Sequence, residues 1–109
     1  MANSSTVFMV WTNWPEDHDL TSVTDTLLKE KLAACINRFP VVESAYIWHG
    51  QTETAREIPL LLKTTSDLYP ALEQRIKALH PYELPEIIAV SVEQGLPAYL
   101  QWVDNATSL

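Results

Sequence analysis

Glu43-Ser-Ala-Tyr-Ile-Trp48-His49-Gly50-Gln51, a polar run, and then Glu57-Ile-Pro-Leu-Leu-Leu-Lys63-Thr-Thr65 form the stretch that decides the fold. Two apolar runs rich in β-branched and aromatic residues flank Gly50-Gln51, and glycine at the first central position predicts a type II′ hairpin turn there. Alternation along a strand puts Ala45 and Ile47 on one face and Tyr46 and Trp48 on the other. On the second strand Ile58, Leu60 and Leu62 face oppositely to Pro59, Leu61 and Lys63. Neither strand has a plainly wet face, so the hairpin needs a cover on each side. Two helix-like segments of the chain both pack on one side of the sheet. The other cover is then most simply a further subunit.

At 109 residues the chain is long enough for one domain with its own core, read here as a single unit over 1–109. Hydrophobic residues at 47% and charged residues at 19% place it among globular proteins. A formal charge of −7 argues against nucleic acid or an anionic membrane as partner, since both demand a basic surface. One cysteine, Cys35, leaves no internal disulfide and fits a reducing compartment. Met1–Thr6 is short, polar and uncharged and carries no targeting signal, and no apolar run reaches the length of a membrane span. The expected location is the cytoplasm. With only Gly50 and Gly95 present, neither a dinucleotide fingerprint nor a P-loop can be written. There is no nucleophile elbow and no His-Glu-x-x-His.

Outward from the hairpin, Val7-Phe-Met-Val-Trp11 reads as a buried first strand. A polar loop follows, with His18 between Asp17 and Asp19. Adjacent loop residues seldom converge on one ion, so His18 reads as a solvated histidine before it reads as a ligand. Leu20, Val23, Leu27, Leu28 and Leu32 recur at helical spacing and predict a helix from about residue 20 to 34. Cys35-Ile36 starts the second strand, broken near Phe39-Pro40 and resuming at Val42. The absence of a glycine between helix and strand implies tight packing, with Cys35 as a small buried hydrophobe.

After the hairpin, Ser66 reads as an N-cap, with Asp67 in the first turn and Pro70 early enough to be tolerated. Leu68, Leu72, Ile76 and Leu79 make the stripe of a second helix, which ends at Leu79 or His80 because of Pro81. Residues 87–92 form the last strand, and residues 98–103 a short helical tail with aromatic anchors. Strand, helix, strand, strand, helix, strand is the order of two split βαβ units: a ferredoxin-like α+β sandwich on an antiparallel sheet. Its helices cover one face and leave the other free.

With these pieces in order, the sequence resembles the CutA family of divalent-cation tolerance proteins. The resemblance is carried by Lys31-Leu-Ala-Ala-Cys-Ile-Asn37, Tyr46-Ile-Trp48 with Gly50, Leu62-Lys-Thr64, His80-Pro-Tyr-Glu-Leu-Pro-Glu86 and Tyr99-Leu-Gln-Trp102. The His-Pro-Tyr-x-x-Pro-Glu run is the most specific, and together the segments span nearly the whole chain. The resemblance implies a homotrimer packed sheet to sheet, with the hairpin reaching across to a neighbour. It also implies tolerance of copper and other divalent metals, with direct copper binding in some members. The trimer is similar to that of PII nitrogen-regulatory proteins, whose small-ligand sites lie between subunits. Trp11 stands before Thr12 where some members carry a cysteine. Leu79 precedes His80 where some have paired histidines, and His49 replaces a glutamate at the hairpin tip.

Two candidate sites follow. The metal set is His80, His49 and Cys35, the imidazole and thiolate donors that suit copper or another divalent metal. For His80 a helix-capping role at the negative dipole end competes with the metal role. The second site is a ligand cleft of Trp48, Lys63, Tyr82 and Glu86. Lys63, on an otherwise apolar strand, needs an anionic partner there, either a small anion between subunits or Glu86 itself. No activated nucleophile or acid–base pair stands out, so no catalytic residue is assigned and no cofactor is required. The expected partners are the metal ion and further copies of the chain.

Overall fold

β4 (Gln51–Thr65) is the longest strand, and three of the other four strands pair with it: β1 (Val7–Pro15), β2 (Cys35–Arg38) and β3 (Val42–Trp48). The fifth, β5 (Ile87–Ser91), pairs with β1, and every pairing is antiparallel. The sheet runs β2-β4-β1-β5, with β3 continuing along the edge that β2 begins. Three helices complete the chain: α1 (Leu20–Lys29), α2 (Tyr69–Leu79) and α3 (Pro97–Ala106). This computed structural model describes residues 5–108. The reading of Met1–Thr6 as free of a signal lies, for its first four residues, outside the described residues. Taking β2 and β3 as one broken strand, the chain has the α+β order expected of two split βαβ units. No described helix is long and apolar enough to cross a membrane.

Period-two patterning decides which side of the sheet is core. Ile58, Leu60 and Leu62 are buried with Val10 and Trp14 of β1, beneath Val23 and Leu27 of α1 and Leu72 and Ile76 of α2. The opposite face carries Met9, Trp11, Leu61 and Lys63 in register with Ile88 and Val90. Ile88 and Val90 are 55% and 50% exposed. α3 packs against β1 and β4 and buries Val103, while its Tyr99 and Trp102 remain 40% and 47% exposed.

The break between β2 and β3 has a backbone reason. Arg38 opposes Leu60 and Val42 opposes Glu57, so three residues face two across the gap. Pro59 sits opposite that gap, where a strand can do without a ladder N–H on that side. Beyond Glu57, β4 pairs only with β3, and the two strands run on as an arm. The molecule measures 51 × 27 × 23 Å, and its radius of gyration of 14.9 Å exceeds the roughly 13 Å of a rounded chain this size.

Three local expectations are corrected. The arm turns on His49-Gly50, not Gly50-Gln51: Trp48 pairs with Gln51, and both central residues have positive φ, 51° and 77°. Positive φ at both positions is the type I′ signature, whose twist matches that of the flanking strands. α1 ends at Lys29, five residues earlier than its apolar spacing predicts. Lys31 takes φ 59° without being glycine, and Leu32 N–H and Lys31 N–H return to the carbonyls of Leu27 and Leu28. That is a Schellman closure, and the left-handed lysine costs roughly 1–2 kcal/mol against it. Finally, α2 starts at Tyr69 with no side-chain cap, because Ser66 is taken by the sheet. Its N–H donates to the Thr6 carbonyl at 2.7 Å, and its Oγ accepts from Thr6 N–H at 3.1 Å.

Candidate functional site

Where the arm leaves the sheet, the segment from His80 to Glu86 wraps past it on the way from α2 to β5. A cleft of about 620 Å³ lies between them. The arm supplies Ser44, Tyr46 and Trp48, which register with Ala55, Glu53 and Gln51 and share their face with Glu57. The wrapping segment supplies Tyr82, Glu83 and Glu86, and β1 adds Asn13. A volume of this size falls in the range of small-molecule sites, roughly 300–1,000 Å³.

His80 holds the segment in place rather than lining the cleft. Its ring is 7% exposed and lies 4.1 Å from the Trp14 ring and 4.8 Å from that of Tyr82, centroid to centroid. Nε2–H donates to the Asn13 carbonyl at 2.7 Å, and Nδ1 accepts the Tyr82 N–H at 3.1 Å. These two bonds select the neutral Nε2–H tautomer. Burial first, and the neighbouring His18 to a lesser degree, push its pKa below the ordinary histidine value against the pull of the Asn13 carbonyl and Glu57. The ring has no lone pair to offer a metal while both bonds stand. Its backbone N–H, bonded to the Ile76 carbonyl at 2.9 Å, does the helix-capping.

Tyr82 and Glu57 complete the inner wall. The Tyr82 hydroxyl donates to Glu57 Oε2 at 2.9 Å. Burial and that bond to the carboxylate both raise the Tyr82 pKa far above that of a free tyrosine, so the hydroxyl stays protonated and keeps donating. Glu57 is only 6% exposed, and among the described residues no Lys or Arg lines the cleft beside it. Glu86 accepts from Asn13 Nδ2 at 3.3 Å.

Of the four residues expected in the ligand cleft, Trp48, Tyr82 and Glu86 meet there and Lys63 does not. Lys63 lies six residues along β4 from Glu57, about 20 Å at roughly 3.3 Å per residue. Its Nζ donates to Asn37 Oδ1, so the partner it finds in the chain is a neutral amide and not Glu86. The metal candidates do not meet either. His49 is at the exposed arm tip, its ring edge-on to Trp48 at 4.7 Å, and Cys35 is opposite Lys63. Lys63 and Gln51 are twelve residues apart (63 − 51) along β4, so Cys35 and His49 are about 40 Å apart. Cys35 is half-buried rather than fully buried, beside Tyr99 of α3. The His18 ring lies tilted against that of Trp14, centroids 5.2 Å apart. Among the described residues, no group of three or more His, Cys, Asp or Glu side chains is placed to hold a metal ion. The donors of one chain therefore do not fit a metal site by themselves.

Glu57, Tyr46 and Asn13 are among the cleft residues that sequence reasoning missed. Glu57 left a signal: it is an acid directly adjoining the apolar run 58–62, at the point where the strand passes from sheet to arm.

Comparison with known proteins adds the family. Residues 8–106 match the model of the CutA1 divalent ion tolerance protein family. The divalent-cation tolerance protein CutA of Thermus thermophilus is 40% identical over 93 residues, 85% of this chain and 90% of that protein. Mouse Protein CutA is also 40% identical over 93 residues, but the match covers 52% of its length. The chain thus spans about half the length of such mammalian relatives. Among solved structures, CutA from Xylella fastidiosa superposes with a TM-score of 0.90 at 40% identity, covering 95% of this chain and all of that one. The periplasmic divalent cation tolerance protein CutA of Archaeoglobus fulgidus superposes at 0.88 with 31% identity, covering 94% and 99%.

Proposed function

The chain belongs to the CutA1 divalent ion tolerance family, and from that premise we propose that it acts as a non-catalytic homotrimer in tolerance of divalent cations, binding a metal ion such as copper. The observation that carries the assembly is the arm together with the bare sheet face. A two-stranded ribbon is at best marginally stable alone in water, yet this arm extends six residue pairs past the sheet. It shows Ile47 at 72% exposure on the face turned away from the cleft. Ile88 and Val90 lie uncovered on the sheet. A neighbouring copy of the chain supplies the missing cover for both.

Metal binding is proposed at the arm tip, with the ion as cargo. His49 is the exposed imidazole there, and an arm that reaches a neighbour delivers it to donors of that neighbour. His80, with both nitrogens engaged, does not take part. The cytoplasm is the proposed location, because the single cysteine fits a reducing compartment. A sensor for a small anion has less support, since no Lys or Arg lines the cleft.

Calorimetric titration of the reduced, chelator-treated protein with Cu(I), Cu(II) and Zn(II) tests the metal reading. One of these ions is expected to bind stoichiometrically, and His49→Ala is expected to weaken it at least tenfold. Absence of binding by all three, or unchanged affinity in His49→Ala, overturns the arm-tip site.

A further inference from the structure

We infer that the cleft at the base of the arm is a binding site for a small organic ammonium, an aliphatic amine or diamine whose charged head meets Glu57. This inference is independent of metal binding at His49 and holds whether or not that proposal survives.

The charge of the cleft has one sign. Glu57, Glu83 and Glu86 line it, and among the described residues of the chain no basic side chain does. Glu57 matters most because it is 94% buried (100 − 6) and still lacks a cation. Its Oε2 accepts the Tyr82 hydroxyl, while its Oε1 has no hydrogen-bond partner among the described residues. A buried carboxylate with spare acceptor capacity is costly unless something positive completes it. Arg56, the adjacent residue on β4, does not: it is turned to the other face and paired with Glu16 at 2.6 Å.

The remaining walls distinguish one kind of cation from another. Tyr46, Trp48 and Tyr82 bring three aromatic rings to the cleft. Ring faces attract ammonium groups, and they also shelter the attached carbons. A hard divalent metal instead wants a cage of six or more oxygens. The three glutamates are not gathered into such a group. The volume of about 620 Å³ is also generous for a bare ion and suited to a molecule of several heavy atoms. Glu86, part of whose capacity is taken by Asn13 Nδ2, and Glu83 are available to the second nitrogen of a diamine.

The test is calorimetric titration of the full-length protein, in its assembled state, with butane-1,4-diamine. Butane-1,4-diol serves as the neutral isostere, and Zn(II) and inorganic phosphate as competitors. Saturable binding of the diamine is expected, weakened by added salt, with no heat from the diol. Glu57→Gln keeps the size and an acceptor for Tyr82, and is expected to weaken the diamine at least tenfold. Trp48→Leu is expected to weaken it several-fold. Circular dichroism and light scattering check that both variants keep the parent fold and mass, and Glu86→Gln gives a second charge deletion should Glu57→Gln fail to fold. Diol binding as tight as the diamine overturns the inference, as does full affinity in a folded charge-deleted variant or no diamine binding at millimolar concentration. Displacement of the diamine by stoichiometric Zn(II) also overturns it and makes the cleft a metal site. Phosphate binding in place of the diamine overturns it in favour of an anion site.

Discussion

Leu60→Ala is expected to lower the folding free energy by about 3 kcal/mol, inside the roughly 2–5 kcal/mol range for truncating a buried leucine. Leu60 is fully buried near the middle of β4, with Thr12 opposite on β1 and Arg38 opposite on β2. A strand paired on both edges cannot shift to refill the void. The helices above, through Leu27, Leu72 and Ile76, belong to the same core and have nothing of the right size to drop into it. Urea unfolding at one fixed protein concentration measures the effect as a lower midpoint with an unchanged slope. A loss below about 1 kcal/mol contradicts a core centred on β4.

His80→Ala carries the second large effect, again about 3 kcal/mol. Two partly buried backbone groups, the Asn13 carbonyl and the Tyr82 N–H, lose their partner at once, and each orphaned group costs up to roughly 1–3 kcal/mol. The tilted ring contacts with Trp14 and Tyr82 go as well. The same residue gives a pH dependence of definite sign. Its pKa in the folded chain lies below the ordinary histidine value of about 6.5, so below that pH the unfolded chain binds the extra proton first. Stability from His80 is therefore present above about pH 6.5 and is lost as pH falls toward the folded pKa. The neighbouring His18 adds to the lowering of the His80 pKa, while Glu57 opposes it. Urea midpoints between pH 8 and pH 5 should fall in the parent and fall less in His80→Ala. An identical slope in both would remove His80 as the titrating group.

Much of this fold was legible because period-two alternation states both faces of a strand. Ile58, Leu60 and Leu62 lie inward, and Leu61 and Lys63 outward, as their spacing requires. What escaped were places where backbone bonds override side-chain pattern. Leu32 keeps the helical spacing of α1, yet the chain has already closed the helix through a left-handed Lys31. Ser66 has the chemistry of an N-cap, but the Thr6 backbone claims it. At the cleft, the segment from His80 to Glu86 pointed to Tyr82 and Glu86, and the strand before the turn to Trp48. Within one chain Lys63 stands apart from the cleft because the reach of a strand, about 3.3 Å per residue, sets it far down the sheet. Without Lys63, the cleft walls formed by the described residues of one chain carry glutamates and no basic side chain.

The uncovered sheet face is the premise on which the proposed assembly rests, and its solution mass tests it most directly. Light scattering on the full chain is expected to give about 37 kDa, three times 12.4 kDa. Ile88→Lys places a charge in the row shared with Trp11 and Leu61, and is expected to bring the mass down to 12.4 kDa with the secondary structure retained. A parent protein of 12.4 kDa at micromolar concentration would contradict the assembly, and with it the delivery of His49 to a neighbour.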